Sequence, residues 1–416
     1  MATAARTAID YVADQLDTFA ERPLCRVDSL VFSWLCYVNV PTDLLAARTW
    51  DGVPLRDLYR AEWFEGMFKS VFDPEGCQRM MAALAASPRF RDVRVCNYVE
   101  ELSDAMSAEQ QFSATTYRLA DDARVVAFRG TDNSLVGWKE DFNMAFQEAI
   151  PSQTSALAYL GQVAAGSMGD LWVCGHSKGG NLAAYAAVMC DDAVRVRLRG
   201  VFSHDGPGFT EETMADARWA DAPALVNKTI PESSLVGMLF ERQENAFDVV
   251  CSTNSGILQH APLSWEVDGC DFVLASGIDW MSERFDAAVN EWVAGMTRDE
   301  RERFVDTVFD VFAASGVQTF GQIADGWQQT VPKMLAALGE LEPHDRELLV
   351  RAVEDVVRFL ASGKAAEKSQ ELAAAGDAAG EDVAGGAPAD GRPSLSDDVA
   401  HWFDDVSGRI RALAKR

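Results

Sequence analysis

No run of about 18 consecutive apolar residues occurs anywhere in this chain, so a membrane-spanning helix is not expected. The opening residues, Met1 to Tyr11, lack a basic region followed by an apolar run, and a secretory signal peptide is not expected. Positive charge is scarce: 37 Lys and Arg face 64 Asp and Glu, a net charge of −27. Such a surface repels nucleic acid and anionic lipid, which argues against both as partners. The eight cysteines are scattered, with no Cys-x-x-Cys pair. Disulfides and zinc sites are therefore not expected. Cys174, Cys190 and Cys251 sit in apolar runs and read as buried small hydrophobes of a reduced, cytoplasmic protein. Histidine is also rare, at five residues, which narrows any search for a catalytic base.

Apolar material is plentiful. Of 416 residues, 48% are hydrophobic, with 22 Phe and 11 Trp, enough for a substantial core. Residues 1–114 read as a mostly helical segment packed on the core, with a long apolar stretch from Val27 to Val40. Trp63, Phe64, Met67, Phe68 and Val71 recur there at helical spacing, a pattern that means core packing. Over 115–275 strands alternate with helices. Thr115–Leu119 and Ala123–Arg129 read as paired strands with Asp121-Asp122 at the turn. Leu171–Cys174, Gly200–Ser203, Ala224–Ile230 and Phe247–Ser252 read as further strands. Alternation of this kind predicts an α/β fold, a mostly parallel sheet flanked by helices. Residues 276–362 read as helical, with Trp280, Phe285, Val289 and Trp292 on one stripe. Residues 363–394 are Ala, Gly, Asp and Glu without aromatics, the composition of a disordered linker. Over 395–416, Val399, Trp402, Phe403, Val406, Ile410 and Leu413 share one face of an expected amphipathic helix, which suits docking on a protein partner or on this chain's own body better than on a membrane surface, since its four acids cancel its four bases.

One segment carries chemistry. Leu171 to Cys174 is a short apolar run, Gly175-His-Ser-Lys-Gly179 follows, and an Ala- and Leu-rich helix begins. Strand, sharp turn and helix with a serine at the turn describe a nucleophile elbow centred on Ser177. Small residues two positions either side of the serine make room for its strained backbone. The plainer alternative is a serine that only caps the helix.

A serine needs a base. His176 lies inside the elbow, His344 in the distal helical region and His401 beyond the linker, leaving His204 and His260. Hydrolases with this elbow run in the order serine, acid, histidine, which favours His260 in the Gly256–Pro262 loop. The acid belongs at a strand end between the two. Asp205, directly after Gly200-Val-Phe-Ser-His204, is the first candidate, with Glu232 and Asp248 behind it. Asp205 also suits a plain turn-stabilising role in Asp205-Gly-Pro-Gly208. Oxyanion donors are expected at the amide of Lys178 and, from the loop after Val125–Phe128, at Thr131. Trp138-Lys-Glu-Asp-Phe142 is expected to start a helix across the site mouth.

Phe128-Arg-Gly-Thr-Asp132, Trp138, Asp141 and Gly175-His-Ser-Lys-Gly-Gly180 resemble the class 3 (fungal triacylglycerol) lipases over roughly 115–265. A closer resemblance is to an uncharacterised bacterial family of lipase-like α/β-hydrolases, a domain of unknown function, over about 1–275. It is carried by Asp10-Tyr11, Val27-Asp-Ser-Leu30, His176-Ser-Lys-Gly-Gly-Asn-Leu182, Asp205-Gly-Pro-Gly-Phe209, Pro231-x-Ser-Ser-Leu-Val-Gly-Met-Leu239 and Gln259-His-x-Pro-x-Ser-Trp265. The resemblance implies an α/β-hydrolase-type fold with helical additions at both ends, a Ser–His pair and a hydrolase. Class 3 lipases place their acid just before a Val-Pro; here the corresponding Thr229-Ile-Pro231 has no carboxylate. Lys178 is a second departure, since those lipases carry an apolar residue there. Its cation either favours an anionic substrate or pairs with a nearby acid.

These readings predict a serine hydrolase of carboxylic esters, lipid-like or small, that needs no metal or organic cofactor. The alternatives are a non-catalytic hydrolase-fold scaffold that recruits a protein partner, and a thioesterase or peptidase with the same machinery.

Overall fold

The structure, a computed structural model, describes residues 5–349 apart from 70, 72, 104–109, 133–134, 241–246, 280–281, 284–294, 317–326 and 348. The chain divides into two units, Met1–Met296 and Thr297–Arg416.

The first unit is built on an eight-stranded sheet whose spatial order follows the sequence. The strands are β1 Val53–Pro54, β2 Arg94–Ser103, β3 Gln110–Arg118, β4 Arg124–Phe128, β5 Leu171–His176, β6 Leu198–His204, β7 Val226–Pro231 and β8 Phe247–Val250. From β4 to β8 every pairing is parallel; from β1 to β4 every pairing is antiparallel. The sheet is thus mixed and mostly parallel, with its parallel half on the side that carries the elbow. Residues 1–114, expected to be mostly helical, contribute β1, β2 and the start of β3. The alternation that would have marked β2 is broken at Cys96–Val99 by a bulge, with Asn97 at φ 52°, and its far end, Glu100–Leu102, is exposed.

Helices cover both faces. They include α1 Ala8–Asp14, α2 Arg26–Leu35, α3 Phe64–Met67, α4 Pro74–Ala86, α5 Leu135–Asn143, α6 Pro151–Ala165 and α7 Lys178–Met189. Side chains alternate across a strand, and β4 shows the result. Val125 and Ala127 pack in the cluster that holds Val27, Leu30, Val31 and Phe32 of α2. Val126 and Phe128 pack in the cluster that holds Leu160 of α6 and Leu182, Ala183 and Ala186 of α7. Small residues on α7 bring that helix close to the sheet.

Helix α2 is buried from Val27 to Leu35, its polar residues Asp28, Ser29 and Ser33 included, each of them hydrogen-bonded. It also buries a charge. Asp28 and Arg89 form a 2.6 Å ion pair with neither side chain exposed, and the Tyr11 hydroxyl donates to Asp28 at 2.8 Å. That network accounts for Tyr11 and Asp28 in the sequence pattern. All eight thiols are free. Cys174 and Cys190 are buried, whereas Cys251, expected to be buried too, is half-exposed just past the end of β8.

In the second unit the helices Arg298–Ser315 and Trp327–Glu340 pack on one another. Thr297 and Glu300 form a capping box at the start of the first, and Gly316 ends it at φ 80°. The expected stripe of Trp280, Phe285, Val289 and Trp292, the linker 363–394 and the helix 395–416 lie outside the described residues. No described helix is long and apolar enough to cross a membrane.

Candidate active site

Parallel register brings the ends of β4 to β8 to one edge of the sheet. Phe128 lies beside Gly175, His176 beside His204, and His204 beside Thr229. The residues that follow these ends, Thr131, Ser177 and Asp205, therefore share that edge.

Ser177 is the single residue between β5 and α7, at φ 59° and ψ −133°, a conformation costly for any residue with a side chain. Its N–H donates to the His204 carbonyl at 2.9 Å. Its side chain makes no capping bond to α7, so the hydroxyl does not serve the helix. The flanking glycines are sterically required. A Cβ at Gly175 would stand 2.0 Å from the Gly179 carbonyl oxygen, and one at Gly179 would stand 2.1 Å from that of Phe128.

Asp205 follows β6 directly, with its N–H on the Thr229 carbonyl at 2.7 Å. Its carboxylate is wholly buried. One oxygen accepts from the Ser234 hydroxyl at 2.5 Å and the Gly237 amide at 3.2 Å; the other accepts from His260 Nδ1 at 2.6 Å. Of the three candidate acids, only Asp205 meets His260. Glu232 is half-buried and makes no side-chain bond among the described residues; Asp248 pairs with Arg26 at 2.6 Å. Thr229, in the place of the lipase acid, bonds His204 Nδ1 through its hydroxyl at 2.7 Å. His204 closes its other nitrogen on Ser29 at 2.8 Å, and burial lowers its pKa to about 3. It is a neutral internal link between α2, β6 and β7.

His260 ends a short 3₁₀ turn, Gly256–His260, and its side chain is 29% exposed. The turn is held by groups that sequence reasoning quoted without a role. The Trp265 indole donates to the Gln259 carbonyl at 2.8 Å, and Gln259 Oε1 accepts from the Ser233 amide at 2.8 Å. His176 Nε2 donates to the His260 carbonyl at 2.8 Å, and the two rings lie 4.6 Å apart. Tyr37 holds His176 from behind, its hydroxyl 2.9 Å from Nδ1. Burial, then repulsion from His260, keeps the His176 pKa well below its ordinary value, so one neutral tautomer satisfies both bonds. Asn181 completes the frame. Its amide donates to the carbonyls of Pro207 and Gly208 at 3.1 and 2.9 Å, fixing the turn that carries Asp205 to α7.

Lys178 opens α7 directly after Ser177, and Thr131 lies three residues past the end of β4; the side chains of both are engaged elsewhere. Lys178 is buried, with Nζ on Glu140 at 2.9 Å, on the Gln111 carbonyl at 2.9 Å and 3.7 Å from Asp141. Burial works against its charge, but Glu140 and Asp141 outweigh it and hold the pKa above normal. The lysine thus pairs with acids of α5 and does not present a cation beside the serine; its backbone N–H remains at the first position of α7. The Thr131 hydroxyl donates to Asp141. Burial pushes the Asp141 carboxyl up to about 6, against the pull of Lys178 and Thr131. The segment Trp138–Phe142 lies within α5 and is tied to the elbow through these bonds. Among the described residues no cluster of His, Cys, Asp and Glu has a metal-holding arrangement.

Residues 84–310, more than half of the chain, match the family model described as Mbeg1-like. No curated protein and no solved structure matches the chain.

Proposed function

The chain belongs to the Mbeg1-like family, and from that premise and the geometry around Ser177 we propose that it is a serine hydrolase of carboxylic esters. The observation that carries this reading is the fully buried Asp205 carboxylate on His260 Nδ1, at the sheet edge that holds a strained, uncapped serine. An aspartate on Nδ1 fixes the imidazole tautomer and leaves Nε2 to act as the base. Ser177 Oγ attacks the ester carbonyl while His260 takes its proton. The tetrahedral oxyanion is held by the Lys178 and Thr131 amides, in a position where such donors are worth most. His260 returns the proton to the departing alcohol. Water, activated by the same histidine, then frees the acid from Ser177.

Hydrolysis of p-nitrophenyl esters tests the reading. Ser177→Ala and His260→Ala should each abolish turnover, because nucleophile and base act as a unit. A Ser177→Ala protein that turns over at the wild-type rate would remove the assignment.

A further inference from the structure

Tyr37 separates the elbow from a pocket of about 280 Å³. The pocket lining includes Asn39, Lys69, Arg129 and Asp132. Arg129 and Asp132 bracket Gly130 and Thr131, so the pocket wall and the oxyanion loop are one stretch of chain. Tyr37 faces both ways, lining the pocket while its hydroxyl bonds His176, the neighbour of Ser177. Contact along this wall is tight. A Cβ at Gly130 would stand 2.0 Å from the Tyr37 hydroxyl and 2.6 Å from the His176 carbonyl oxygen.

The polar groups in the lining favour one sign of charge. Arg129 is only 6% exposed, and the bonds to Glu100 at 2.9 Å and Asn39 at 3.4 Å both use Nη1. Among the described residues, no bond engages its Nε or Nη2. The Asn39 amide donates to the carbonyls of Gly66 and Lys69 at 3.3 and 2.9 Å, which fixes the Lys69 backbone at the pocket. The Lys69 ammonium has no partner among the described residues. The lining holds two cations and one carboxylate, and Glu100 meets Arg129 only through Nη1, so the donors turned to a ligand are the Lys69 ammonium and the remaining guanidinium edge. A guanidinium edge and an ammonium together match the oxygens of a carboxylate or phosphate.

We propose that this pocket receives an anionic, oxygen-rich group of the ester substrate, with Lys69 and Arg129 as its donors. The inference rests on the ester-hydrolase reading of Ser177 and deepens it. Complete small-molecule sites run from roughly 300 to 1,000 Å³. A pocket just below that range holds a head group while the ester carbonyl lies across Tyr37 at the serine.

Calorimetric titration of the full chain with inorganic phosphate, glycerol 1-phosphate and succinate tests the anion site without any turnover. At least one of the three should bind. Lys69→Ala should weaken that binding by about tenfold or more, and Lys69→Arg should keep it, since the ion pair is what is removed. Preference for the two phosphates assigns a phosphate; preference for succinate assigns a carboxylate. Lys69 is exposed, so its replacement leaves the core untouched. The bound anion should also slow fluorophosphonate labelling of Ser177 in the wild type and not in Lys69→Ala. No binding at millimolar ligand, or binding that Lys69→Ala leaves unchanged, overturns the proposal. Lys69-dependent binding to a protein whose Ser177 never labels would instead overturn the hydrolase reading and leave an anion site without an ester.

Discussion

Asp205 bears the sharpest single-residue test. Asp205→Asn should cut turnover by roughly 10³- to 10⁴-fold, because the histidine then settles in the wrong tautomer. Glu232→Gln should leave the rate of p-nitrophenyl ester hydrolysis almost unchanged, since its side chain bonds nothing among the described residues. The reverse pattern would move the acid to Glu232. A second residue sets a pH dependence. The Asp141 carboxyl is raised to about 6, so between the ordinary carboxylate range near 4 and that value the folded protein holds a proton the unfolded chain releases. Its stability contribution is full below about pH 4 and is lost as pH rises through about 6. Asp141→Asn has no such slope, so its melting temperature relative to wild type should rise across that window. Parallel melting curves for the two proteins would contradict the shift. Type and order singled out Ser177, His260 and Asp205 as candidates, and of these the structure brings Asp205 and His260 into contact. The parts of Ser234, Gly237, His176 and Tyr37 were not legible, because they act through hydrogen bonds to residues distant in sequence, and nothing in composition marks such bonds.

At the scale of elements, the elbow and its buried ion pair tie β5, α7 and α5 together. Gly179→Ala should yield little folded protein, because the added carbon meets the backbone oxygen of Phe128, which cannot rotate away as a side chain can. Lys178→Met should destabilise by about 3–5 kcal/mol, leaving Glu140 buried without its partner. Adding Glu140→Gln should recover much of that loss, as measured by urea denaturation; a double variant as unstable as the single would show that the pair is not the cause. Strands β3 to β8 were readable from short apolar runs between turns. Strand β2 was not, because its bulge and exposed acidic end break the period that a strand is recognised by. The plain apolar runs of β4 and β5 reflect burial on both faces of the sheet.

At the scale of the whole molecule, the α/β class followed from alternation along 115–275, and the antiparallel β3–β4 pair from its Asp121-Asp122 turn, while the β1–β2 and β2–β3 pairings depend on contacts that no local pattern encodes. Residues 363–416 lie outside the described residues, and for them the sequence reading stands as an expectation. A segment without core-forming residues cannot tie its terminal helix into a folded body by itself. Removing 363–416 should therefore leave ester turnover and melting temperature nearly unchanged. A large fall in melting temperature would show that the terminal helix belongs to the core. The proposed hydrolysis requires Ser177 to be an activated nucleophile. Reaction of the full-length protein with a fluorophosphonate, followed by intact mass and peptide mapping, measures this most directly. One adduct is expected, on Ser177, absent from Ser177→Ala and strongly slowed in His260→Ala. An unmodified wild-type protein, or an adduct on another residue, would contradict it.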